Sequence, residues 1–170
     1  KILLILLTIS VFGTHNSNAQ SKKELKKQQK EKEFQATKKL IESENFVFHP
    51  DWVNTRRARR INIAGDGNTL KIEGETASAD LPFFGVAHTA NYGGNGGIIF
   101  TNTNTDFNIE FNDKKQKVII KFQATEKSEN FDVYMEVFSN GNTTVRISSS
   151  SRNSISYDGK ISTMSSKKEE

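Results

Sequence analysis

The sequence predicts a mainly β protein: an antiparallel β-sandwich or a lipocalin-like barrel of eight to ten strands, with one N-terminal α-helix. Three observations carry this expectation. Apolar and polar residues alternate through much of the chain, as in Phe107, Ile109, Phe111 and again in Phe131, Val133, Met135, Val137, the period-two pattern of half-buried strands. Turn chemistry recurs at short intervals, most clearly at Asn140-Gly141, a strong two-residue hairpin signal. Helical spacing of apolar residues occurs in one segment near the N-terminus. Sandwich and barrel satisfy the same alternation, so both stay open.

The chain opens with Lys1, an apolar run from Ile2 towards Phe12, and polar residues ending Ser17-Asn18-Ala19. Charged start, short apolar stretch and small residues before a cut predict a secretory signal peptide over 1–19. Residues 20–33 form a charged helical lead-in whose only apolar anchor is Leu25. From Phe34 onward, Phe34, Thr37, Leu40 and Ile41 share one side of a helix, so the helix expected over 21–44 docks through its second half. A single β-rich domain follows over 34–163, with a frayed tail over 164–170.

Within that domain Phe46 to His49 reads as a short strand ended by Pro50, which cannot donate a ladder hydrogen bond. Arginines at 56, 57, 59 and 60 would occupy both faces of a strand, so pairing is expected to begin near Ile61. Gly65-Asp66-Gly67-Asn68 reads as a hairpin turn between Ile61–Ile63 and Thr69–Glu73. Thr76 to Leu81 is extended. Strands through Ile98–Phe100, Phe107–Phe111, Val118–Phe122, Phe131–Phe138, Val145–Ile147 and Ile155–Ile161 complete the set.

Composition narrows the function classes. The chain has no cysteine, which excludes disulfides, thiolate zinc sites, cysteine nucleophiles and a lipid-anchored N-terminal cysteine. Twelve Phe predict a Phe-rich core. Basic residues concentrate early: 20–60 carries twelve Lys/Arg against six Asp/Glu, whereas 61–170 is net acidic by three. Such a segment suits an anionic membrane surface or simply a solvated helix, and for an exported protein no nucleic-acid partner is expected.

Chemical motifs are sparse. His15 lies in the leader, and His49 and His88 have no ligand-spaced partner, so no metal site is expected. Gly93-Gly94-Asn95-Gly96-Gly97 leads into the strand Ile98-Ile99-Phe100, whereas phosphate-cradling loops open a helix. Ser148 to Ser151 has no Gly-x-Ser-x-Gly elbow and reads as a solvent-facing strand end. The stretch from Leu81 to Phe100 packs aromatics and glycines together. It serves either as a corner folded over the core, the plainer reading, or as a binding mouth formed by Phe83, Phe84, His88, Tyr92, Gly93 and Gly94.

Leu81-Pro82-Phe83-Phe84-Gly85, Ala90 to Ile98 with its glycines, Val137-Phe138-Ser139-Asn140-Gly141, and Arg152 to Gly159 together make a pattern. On these motifs the chain resembles domain-of-unknown-function family 4251, small exported proteins of Bacteroides-group bacteria. The likeness spans about Phe34 to Ile161, with Phe83 in place of the usual Tyr and Val86 where Arg is common. It implies compartment and host type and supplies no activity.

The expected function is therefore that of a non-catalytic exported domain, periplasmic or associated with the outer envelope, that binds a small amphipathic or lipid-like ligand without a cofactor. The alternative is a structural or protein-interaction module using the basic helix and Arg56, Arg57, Arg59 and Arg60 as contacts. A hydrolase comes third, since no carboxylate or histidine pair announces itself.

Overall fold

A computed structural model describes residues 22–56, 59–87 and 96–164. The expected leader, the frayed tail beyond 164 and the centre of the glycine-aromatic stretch lie outside the described residues.

Helix α1 (Lys22–Glu42) is built from strong helix formers, and its first turns, through Lys32, are exposed. Phe34, Thr37 and Ile41 recur at spacings of three and four, and these are its buried residues. No described helix is long and apolar enough to cross a membrane.

Ten antiparallel strands follow: β1 (Asn45–Asn54), β2 (Arg60–Asn62), β3 (Thr69–Glu73), β4 (Thr76–Leu81), β5 (Ile98–Asn104), β6 (Asn108–Asn112), β7 (Lys117–Glu126), β8 (Glu129–Phe138), β9 (Asn142–Ser149) and β10 (Ile155–Thr163). They form one sheet in the order β5-β4-β3-β1-β10-β9-β8-β7-β6, with β2 also on β1. Two meanders are thus joined at the β1–β10 pair. The sheet curls into a half-barrel, which brings β5 beside β7, where the Thr103 hydroxyl donates to the Thr125 carbonyl at 3.4 Å.

Two local expectations need correction. β1 does not end at Pro50 but runs on to Asn54, because the pairing with β10 shifts register between Pro50 and Trp52. Such a bulge accommodates a residue without an N–H and turns the strand. Opposite it stands Gly159, where a Cβ would overlap the His49 carbonyl oxygen and lie 2.7 Å from the Pro50 Cα. Only glycine lets the two backbones approach there.

The second correction concerns 65–68. These residues do not join two hairpin partners, since β2 and β3 both pair with β1, at Asn54–Trp52 and Phe48–Asn45 respectively. They are successive pieces of one interrupted edge, and the glycine-rich turn is an excursion between them.

Inward positions are apolar on nearly every strand. Phe46, Phe48, Leu70, Leu81, Ile98, Phe100, Ile120, Met135, Ile147 and Tyr157 belong to one continuous cluster and are each at most 1% exposed. These inward-facing side chains pack on one another. Helix α1 lies over the turns at one end: Thr37 donates to the Ser139 carbonyl at 2.9 Å, Lys38 pairs with Asp113 at 3.0 Å, and Gln116 donates to Glu31 at 2.6 Å. The connections after β1, β4, β7 and β9 gather at the opposite end.

Candidate functional site

That opposite end is organised around a buried ion pair. Glu129 opens β8 in register with Phe131, Val133, Met135 and Val137, so the alternation that buries those four also turns a carboxylate inward. Arg152, just past β9, meets it with two parallel bonds, Nε to Oε1 at 2.7 Å and Nη2 to Oε2 at 2.6 Å. The two side chains are 9% and 6% exposed. The Ser149 hydroxyl donates to the same carboxylate at 2.6 Å.

Arg152 uses its remaining edge on the chain itself. Its Nη1 donates to the Gly97 carbonyl at 2.9 Å and to the Gly96 carbonyl at 3.2 Å, the foot of β5. Its guanidinium stands 5.1 Å from the Phe83 ring centre and 5.9 Å from that of Phe131. The planar fork suits this double duty, binding a carboxylate along one side while its face meets aromatic rings.

The other foot of the stretch is held as firmly. Tyr157 donates its hydroxyl to the Pro82 carbonyl at 2.9 Å, the Asn153 N–H donates to the Val86 carbonyl at 3.0 Å, and Ala87 forms a bridge with Arg152. Burial pushes the Tyr157 hydroxyl well above the ordinary phenol range, against a smaller opposing influence from the nearby Arg152 charge. Gly97 comes so close to the end of β4 that a Cβ would sit 2.9 Å from the Leu81 carbonyl oxygen.

Of the residues expected at a binding mouth, Phe83 turns inward, packs against the core and lies under Arg152. Phe84 turns outward at 47% exposure, and Val86 beside it is 54% exposed. His88, Tyr92, Gly93 and Gly94 lie outside the described residues. Among the arginines, Arg56 and Arg59 are exposed, Arg57 is outside the described residues, and Arg60 stacks over Trp52 on the outer sheet face. Ser149 is not part of a solvent-facing strand end, since Glu129 draws its hydroxyl inward.

Sequence reading missed Glu129 and Arg152. The signal for the acid was present, because a Glu two residues before Phe131 and in phase with it must point into the core. Nothing local identifies the partner, which lies 23 residues away.

Among the described residues, no group of three or more His, Asp or Glu is placed to hold a metal ion. The family model for a domain of unknown function, DUF4251, matches residues 28–161. A crystal structure of a DUF4251 family protein from Bacteroides eggerthii DSM 20697 is similar in fold, with a TM-score of 0.58 at 15% identity, covering 77% of this chain and 87% of that one. No curated protein matches.

Proposed function

The chain belongs to the DUF4251 family, whose description carries no activity, and we propose that it is a non-catalytic, exported domain of the cell envelope that holds the apolar part of a small amphiphile. Contact is made at the rim, through the outward side chains of Phe84 and Val86. The observation that carries this reading is the contrast at the 81–98 connection: one foot is held by the ion-paired Arg152 side chain and the other by Tyr157 and Asn153, yet Phe84 and Val86 stand 47% and 54% exposed.

A buried ion pair adds little net stability, because desolvating two charges offsets their attraction. What it does supply is position. Pre-setting a loop lowers the entropy lost when something binds to it, and exposed apolar side chains on a held backbone suit that role. The described buried acid, Glu129, is engaged by Arg152 and Ser149, which favours a role without catalysis. Export is inferred from the charged and apolar leader pattern over 1–19.

The test is native mass spectrometry of the processed protein purified gently from its own periplasm, followed by solvent extraction. A stoichiometric lipid or other amphiphile that is lost in Phe84→Asp/Val86→Asp is the expected result. A clean mass, or an amphiphile that the double variant retains, overturns the reading.

A further inference from the structure

The outer face of the sheet carries a second candidate site, lined by residues other than those of the 81–98 connection. Four strands contribute. Trp52 on β1 faces Asp158 on β10, which faces Thr144 on β9, while Phe138 ends β8 at the turn into β9, where the Gly141 N–H donates to its carbonyl at 2.9 Å. Between the two aromatics lies an open groove of about 360 Å³, floored by Asp158, Gly159, Thr143 and Thr144 and edged by Asp51, Arg60 and Asn142. That volume falls in the range of small-molecule sites, about 300–1,000 Å³. The row of Trp52 meets β8 at Glu136, so three strand spacings and a two-residue offset set Trp52 and Phe138 roughly 16 Å apart.

The polar groups of the groove are held in place. Asp158 accepts from the Thr144 hydroxyl at 2.9 Å on Oδ1 and from the Asn54 amide at 2.8 Å on Oδ2. Arg60 approaches the same Oδ2 at 3.6 Å and lies 4.5 Å from the Trp52 ring centre. Elsewhere on this face two charge pairs bridge neighbouring strands, Lys117 with Glu136 and Lys121 with Glu110 at 2.8 Å. The groove differs in combining exposed aromatic surface, 42% for Phe138, with a row of fixed donors and acceptors.

From this we infer that the groove binds a neutral, extended oligosaccharide. A sugar ring has an apolar face of C–H groups that suits the negative face of an aromatic ring, and a rim of hydroxyls that both donate and accept. Carboxylates, amide and hydroxyl are the complementary set. Other classes fit worse. A purely apolar ligand would strip water from Asp158, Thr144 and Asn142 without replacing its hydrogen bonds. A polyanion would meet two carboxylates, Asp51 and Asp158, with the single groove arginine already engaged by Asp158.

Trp52 is the only tryptophan of the chain, so the protein reports on its own groove. Intrinsic fluorescence would be titrated with three probes in turn: cellohexaose, maltohexaose and chitohexaose. The expected result is a saturable change with at least one of them, weakened at least tenfold in Phe138→Ala and in Asn142→Ala, both solvent-facing positions, and unchanged in Phe84→Ala at the rim. No saturable change with any probe overturns the inference. So does binding that both groove variants leave intact.

Discussion

Arg152 and Glu129 form a two-point ion pair, at 2.7 and 2.6 Å, with each side chain less than a tenth exposed. Around it the feet of the glycine-aromatic connection, the end of β9 and the start of β8 are tied together. The pair therefore decides where that connection stands relative to the barrel end.

Removing one partner leaves a buried charge without compensation. Arg152→Met is expected to cost about 3–5 kcal/mol, read as a lower urea midpoint with an unchanged slope. Replacing both, Arg152→Met with Glu129→Met, recovers most of that loss. If the double variant is as unstable as the single one, the pair is not what holds the region.

Gly159 tests the bulge. Gly159→Ala places a methyl against the His49 carbonyl and Pro50 Cα, and both obstacles are backbone that cannot step aside as a side chain would. A loss of at least about 3 kcal/mol is expected, at the upper end of overpacking costs. A neutral result in thermal unfolding would show that the two strands can separate there.

Tyr157 gives the fold an alkaline limit. Its hydroxyl is held above the ordinary phenol pKa by burial, so the native state keeps a proton that the unfolded chain releases above about pH 10. Stability is then fully present below pH 10 and falls as pH rises beyond it. Urea midpoints at pH 8 and pH 11 should diverge in the native sequence. Tyr157→Phe should lose about 1 kcal/mol at pH 8 with the bond to Pro82, yet show a smaller further drop at pH 11.

Helix docking depends on apolar burial rather than on charge. Phe34→Ala, at a site 1% exposed, is expected to cost about 3–5 kcal/mol and to expose 22–42 to limited proteolysis. Lys38→Ala breaks a pair whose Asp113 partner is 72% exposed. It should change stability by no more than about 1 kcal/mol, and equal effects would contradict this account.

The sequence by itself determined the helix, the strand positions from Ile98 onward and the inward parity of almost every strand, because side-chain alternation belongs to each segment alone. It also placed Glu129 in an inward register, though only the structure shows what that means. Which strands pair was decided in three dimensions. The β1–β10 junction, the course of β1 past Pro50 and the sharing of one β1 edge by β2 and β3 depend on segments far apart in the chain. The two sites divide in the same way. Aromatics and glycines between Leu81 and Phe100 announced a special loop, but the arginine that clamps it and the outer groove between Trp52 and Phe138 were settled by tertiary packing. A single residue carries its own hydropathy and charge, whereas its partner is chosen by the register in which distant strands meet.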